Sequence, residues 1–275
     1  MRRTAATLLA MTFVVSTAWA PNATASDTPH NGRFWLTCRF SHRSSDDPIA
    51  WPGQPGATHS HDFIGNATTD ASSTYEGMVG QATTCALADD TAGYWVPTLM
   101  VDGTPVAIRV VNVYYWGFRG RTQAFPPDLE VIAGASAGIP SGTKAQSRKT
   151  GWMCVRDGAL FAAPPDCGAD FVRMVVTFPS CWNGVATNSA DHHSHLAYPV
   201  AGSCPADHPV PVPRLVVHVE YGLHDGTHAR LSSDLMAGAP AGSTIHADFW
   251  NTWDQATLER LVRTCIDTGP NRVFR

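Results

Sequence analysis

Proline and glycine break this chain at nearly every ten to fifteen residues, with 23 glycines and 20 prolines spread along 275 positions. An isolated helix needs about a dozen uninterrupted residues to be worth forming, whereas a strand needs about five. The interruptions therefore favour strands and turns. The runs between them are of the strand type: "FWLTCRF", "YWVPTLMV", "VAIRVVNVYYWGF", "LEVIAG", "FVRMVVTF" and "RLVVHVEYGL". Several alternate apolar and polar residues or are rich in Val, Ile and aromatics, as half-buried strands are. Asp102-Gly103 after "TLMV" predicts a hairpin turn. Helical periodicity is confined to residues 252–267, where Leu258, Leu261, Val262 and Cys265 share one face, Asp254 sits near the start and Gly269-Pro270 ends the pattern. Many short strands without alternating β–α units predict a mainly β fold: a single-domain β-sandwich, jelly-roll-like, with long loops and one C-terminal helix. The domain is expected over residues 31–267, with 268–275 as a C-terminal tail.

Residues 1–25 carry a short basic start, an apolar run too short to span a bilayer with margin, and "ATA" before Ser26. That is the form of a cleaved secretory signal peptide, and it predicts a secreted, extracellular protein. No second long apolar segment follows, so no transmembrane segment is expected after cleavage. Seven cysteines without a C-x-x-C pair argue against a zinc ribbon and for disulfides. Proximity pairs Cys154 with Cys167, Cys181 with Cys204 and Cys38 with Cys85, leaving Cys265 as the odd one. Charged residues make up 15% of the chain, the formal net charge is −4 and there is no basic stripe. Nucleic acid is therefore excluded as the main partner.

Chemistry-bearing side chains gather in four stretches. One holds Asp46, Asp47, His59, His61 and Asp62; a second Asp191, His192, His193 and His195; a third His246, Asp248, Asn251 and Asp254; a fourth His218, Glu220, His224 and His228. Residues two apart on a strand point to one face, so His59/His61 and His246/Asp248 each present a pair of functional groups together. If the segments converge, His59, His61, His195 and His246 supply three or four nitrogen ligands for a divalent transition metal able to activate water. Asp191, His192 and Asp248 complete the list of candidate catalytic residues, as acids, bases or ligand partners. Metal-free acid–base catalysis and purely structural bracing are the competing readings, and for His193 and the fourth stretch bracing or solvation is expected. Asp47, Asp62, Asp191 and Asp248 form a pool for glycoside chemistry. The zinc-protease helix and the nucleophile elbow are both absent. Trp95, Trp116, Trp182, Trp250 and Trp253 lie beside glycines, prolines or polar loops, where exposed indoles would stack on sugars and buried ones would serve the core.

Several of these motifs occur together in a recognisable order: Asp47-Pro48-Ile49, Pro52-Gly53, His59-x-His61, Tyr94-Trp95-Val96-Pro97, Cys181-Trp182-Asn183-Gly184, Asp191-His192, Ser194-His195, Tyr198-Pro199, His208-Pro209, and His246-x-Asp248-Phe249 with Trp253-Asp254. Taken together the chain resembles the DUF1996 family of exported bacterial and fungal proteins over nearly all of its mature length. The resemblance implies secretion and one compact domain. It also implies a polysaccharide or cell-wall glycan context, because some relatives carry carbohydrate-binding companions such as WSC domains. It assigns no reaction, so the motif residues enter as site candidates without roles. The expectation is a secreted protein that acts on, or binds, extracellular carbohydrate through a His/Asp-lined cleft, as a hydrolase or lyase if it is an enzyme. The alternative is a non-catalytic surface or wall-binding protein whose motifs are structural.

Overall fold

The structure is a computed structural model that describes residues 32–117, 120–135 and 150–275. The signal peptide expected over residues 1–25 lies outside the described residues. Two large sheets form the sandwich. The six-stranded sheet runs in the order Arg272–Phe274, Arg33–Cys38, Ile108–Trp116, Arg214–Tyr221, Val172–Thr177, Gly151–Cys154. The five-stranded sheet runs Phe40–Ser44, His61–Gly65, Gly93–Pro97, His246–Trp250, Glu130–Gly134. All these pairings are antiparallel except the outermost one in the first sheet, between Arg33–Cys38 and Arg272–Phe274. The sheet thus extends past the expected domain end at Asp267, because the last residues add an edge strand.

Period-two alternation sets the core. Phe34, Leu36, Val111, Val113, Tyr115, Leu215, Val217 and Val219 point inward from the first sheet. They meet Ile64, Tyr94, Val96, Val131, Ala133, Ala247 and Phe249 from the second. Each large apolar side chain so buried contributes about 1.5–3 kcal/mol. The outer faces differ. On the five-stranded sheet the outward set Phe63, Trp95, Ile132 and Trp250 is also buried, under Ile49 and Met78 from the covering segments. Those four strands are therefore hidden on both sides.

The hairpin at Asp102-Gly103 forms as expected, with both residues at positive φ, between Leu99–Val101 and Thr104–Pro105. Asp254 caps the C-terminal helix Gln255–Leu261 by accepting from the Thr257 N–H, and the helix continues as a π-helical turn, Val262–Asp267. Leu258, Leu261, Val262 and Cys265 are all buried on the core side, with Ile266 beside them. The three disulfides join Cys38 to Cys85, Cys154 to Cys167 and Cys181 to Cys204, and Cys265 is a buried free thiol. They fit an extracellular protein. No helix among the described residues is long and apolar enough to cross a membrane.

One buried carboxylate organises the approach to the strand His246–Trp250. Asp234 accepts from the N–H groups of Leu231, Gly242 and Thr244 and from the Thr244 hydroxyl, at 2.7–3.0 Å. Asp234→Ala strands these donors out of water and should lower stability by about 3 kcal/mol. Urea unfolding would show this as a reduced midpoint at unchanged slope; a change below about 0.5 kcal/mol would contradict the assignment.

Candidate metal centre

The outward face of the five-stranded sheet carries His61 on one strand and His246 and Asp248 on another. Asp62, next to His61, points to the opposite face, as the pleat requires. There it takes the Arg43 Nε at 2.6 Å and the Thr98 hydroxyl at 3.2 Å. His246 lies opposite Gly134, whose φ is +104°, and a Cβ there would run into the Ile245 carbonyl oxygen and the His246 Cα. Glycine is thus what lets the strand pass this close to the histidine.

The loop before His61 brings His59 over it. Asp47 Oδ1 accepts from the N–H groups of Ile49 and Ala50, Asp46 Oδ1 accepts from Gly56 N–H, and Ser45 O accepts from Thr58 N–H. Folded this way, the loop sets the His59 ring 4.2 Å from His61 and 5.1 Å from His246, centroid to centroid. One ring nitrogen from each of the three histidines lies within 4.8 Å of the other two.

The hydrogen bonds say which nitrogens are free. His61 Nδ1 faces the Asp46 carbonyl at 2.9 Å and His246 Nδ1 faces the Thr244 carbonyl at 2.8 Å. A carbonyl oxygen only accepts, so both Nδ1 atoms carry the proton and both Nε2 atoms present a lone pair. His59 Nδ1 sits 3.1 Å from the Thr58 hydroxyl. The Nε2 atoms of all three are buried and without a hydrogen-bond partner, as are both carboxylate oxygens of Asp248, one of which is 3.9 Å from His246 Nε2. Five orphaned buried polar atoms in one place are costly unless something occupies the space between them. Three neutral imidazole nitrogens with an adjacent carboxylate are the donor set of a divalent first-row ion, and the carbonyl contacts at Nδ1 are the outer partners such ligands use. Burial holds all three rings neutral; at His61 desolvation comes first, His246 disfavours a second positive charge beside it, and the result is a value of about 3. Asp248 is pushed well above the ordinary carboxylate range by burial and by Asp47.

Asp47 faces this cluster and also acts on His192, which stands at positive φ with its Nδ1 3.0 Å from Asn188 Oδ1. Asn188 in turn donates to Glu130 Oε2 at 2.5 Å. Register sets Glu130 opposite Trp250, four residues along the strand from Gly134, the partner of His246, so Glu130 stands at the far end of this face from His246 and is tied to the cluster through the charge of Asp47. Asp191 and His195 form a neighbouring brace: Ser189 Oγ donates to Asp191 at 2.8 Å and meets His195 Nδ1 at 2.9 Å. Partial burial opposes ionisation of Asp191, but hydrogen bonds from Ser194, Ser189 and His193 outweigh it and hold the carboxyl low. His195 is buried and drawn down to about 4, chiefly by desolvation, and is not a member of the trio. In the fourth stretch, Glu220 pairs with Arg109 and Arg173, His224 meets the Asp170 carbonyl, and His228 is exposed. Trp95, Trp182, Trp250 and Trp253 are buried, which leaves Trp116 half-buried among the tryptophans singled out from sequence. Solvent reaches the cluster at His59, 7% exposed, and Asp47, 4%, while His61, His246 and Asp248 are closed off.

Glu130 did not stand out in the sequence, where it is the second residue of the apolar run "LEVIAG"; its only signal is that it shares the outward phase with Ile132. Burial, with the charges of Asp128 and Asp47, raises it to about 7. Its ionisation therefore costs nothing below about pH 4.5, where folded and unfolded chains are both protonated, and costs most above 7. Glu130→Gln removes that cost. The variant should gain stability relative to the parent as pH rises through this window, by about 1–2 kcal/mol after solvent screening. Urea midpoints at pH 5 and pH 8 measure the difference, and a pH-independent difference would contradict it.

The chain matches the model of a family described as Domain of unknown function (DUF1996) over residues 47–253, a span that contains the histidine trio, Asp248, Glu130 and the 186–195 loop. No curated protein and no solved structure matches it. With most of its length inside that match, the chain belongs to the DUF1996 family.

Proposed function

We propose that this is a secreted, metal-dependent enzyme that acts on extracellular carbohydrate, with His59, His61 and His246 as the ligands of one divalent transition ion. The observation that carries this reading is the convergence of three buried histidines, with one ring nitrogen of each within 4.8 Å of the others and every Nε2 unpartnered. When bound, such an ion supplies Lewis acidity and makes water acidic enough to act near neutral pH. The chain supplies the rest. The Asp46 and Thr244 carbonyls fix the two Nδ1 protons and hence the aim of the rings. Asp248 sets its carboxyl beside His246, 3.9 Å away. Farther along the same face, opposite Trp250, Glu130 at about 7 is held by Asn188 and can take or give a proton near neutrality. Those groups suit hydrolysis or elimination at a sugar. Trp51, 46% exposed on the loop that also carries Asp47 and His59, offers an indole face to such a substrate.

The non-catalytic reading draws on one observation: His61, His246 and Asp248 are fully buried, as the ligands of a structural ion would be. Turnover separates the two. Protein prepared without chelators should carry about one equivalent of a divalent first-row ion by elemental analysis. His61→Ala or His246→Ala should weaken its binding by at least about 100-fold, the upper end of what losing an outer partner costs. A polysaccharide panel should show cleavage that is lost on chelation and restored by the ion. Metal without turnover on any substrate would favour the structural role, and no binding after titration with Zn, Cu, Ni and Fe would overturn the centre itself.

A further inference from the structure

The other side of the sandwich carries a second concentration of functional side chains, on the outward face of the six-stranded sheet. Register places Arg33 opposite Trp116 and Trp116 opposite Arg214, so one indole is flanked by two guanidinium groups from neighbouring strands. Their carbons lie 4.3 Å and 5.5 Å from the Trp116 ring centroid. In the next row Trp35 lies opposite Tyr114, stacked at 5.9 Å, and Tyr114 lies 6.3 Å from Trp116 and 4.9 Å from His218. The result is a run of ring faces along a sheet, all half-buried. A groove of about 320 Å³ opens over Tyr114, Trp116, Arg214 and His218, walled by Leu160 and Met153. That size is in the range of small-ligand sites.

Charge distinguishes this face from an ordinary half-buried sheet. Arg43, Arg109, Arg173 and Arg263 each pair with a carboxylate; Arg33 and Arg214 are among the arginines with none among the described residues, and these two sit over one ring, Trp116. Arg33 Nε is buried without any hydrogen-bond partner, and so is His218 Nδ1. Burial alone depresses Arg214, with no anion to offset it. Two like charges held against one indole and left uncompensated call for an anion that also has a flat apolar face to lay on the rings.

We propose that this face binds an anionic glycan, with sugar rings stacked on Trp116 and Tyr114 and uronate carboxylates taken by Arg33 and Arg214. A sugar chain suits the ring spacing and the disulfide-bonded context. Nucleic acid also stacks and carries charge, but a chain with net charge −4 lacks the field that such a partner requires. The site shares no residue with the histidine cluster, so it stands whether or not that centre holds a metal.

Titration calorimetry of the full chain with tetragalacturonate, cellotetraose and oligothymidylate tests this. Tetragalacturonate should bind, at least tenfold more tightly than cellotetraose, with affinity falling as salt rises. Arg214→Gln and Arg33→Gln should each weaken it several-fold and Trp116→Ala at least tenfold, with thermal melts confirming that the variants fold; the two arginine variants keep the test valid if the tryptophan variant does not. Addition of a chelator should leave this binding unchanged. The proposal is overturned by absence of tetragalacturonate binding at millimolar concentration, by equal binding of cellotetraose, by preference for oligothymidylate, or by folded variants that bind unchanged.

Discussion

The central strands of the five-stranded sheet are buried on both faces, and the site follows from that constraint. Their inner face meets the other sheet in the apolar core. The outer face has no second sheet, so loops from three regions close over it. Any polar side chain on that face is cut off from water and needs a partner within the fold. His61 and His246 meet half of the requirement through their Nδ1 contacts to the Asp46 and Thr244 carbonyls. The other half, the three Nε2 atoms and the Asp248 carboxylate, is left open at a single point. Single unpartnered atoms occur elsewhere in the fold, His195 Nε2 and Trp95 Nε1 among them, but here ring nitrogens of three histidines lie within 4.8 Å of one another, and a concentration of this kind marks the place where a ligand belongs.

The scaffold around it is built for rigidity. His246 sits on a strand hydrogen-bonded on both sides, and Gly134 allows the neighbouring strand to approach it. The run into that strand is pinned by Asp234 through Thr244, the residue whose carbonyl then fixes the His246 tautomer. His59, by contrast, stands on a loop whose shape is set by side-chain-to-backbone bonds from Asp46 and Asp47. Two ligands on strands and one on a braced loop give a fixed pair and a third position that is closest to solvent. Asp47 couples this loop electrostatically to His246, His192, Asp248 and Glu130. Acid–base chemistry and loop shape therefore meet in one residue.

Much of this was legible in the sequence where chemistry is local. The hairpin at Asp102-Gly103, the capped helix after Asp254 and the short-loop disulfides depend on neighbours in the chain, and each formed as its residues indicate. The H-x-D spacing gave the right reason for His246 and Asp248 sharing a face; His59 meets His61 from the preceding loop rather than from the same strand, and three of the four histidines considered as ligands converge. Two features depended on tertiary arrangement and left little trace. His195 resembles a ligand by composition, but Ser189 and Asp191 engage it in a brace of its own. Glu130 looks like the polar end of an apolar strand until Asn188, Asp47 and Asp128 are placed around it. The tryptophans were ambiguous for a related reason: with both faces of a sheet buried, an indole beside a glycine or a loop is as readily enclosed as exposed, and four of the five singled out are enclosed.

The central claim is that an ion joins His59, His61 and His246 through Nε2. A crystal of the protein soaked with Zn or Co and measured at the metal's absorption edge addresses it directly. The expected result is one strong anomalous peak, about 2.0–2.1 Å from each of the three nitrogens, with both carbonyl contacts at Nδ1 intact. A map with no peak there, and with each Nε2 instead hydrogen-bonded to ordered water or to a protein group, would contradict it.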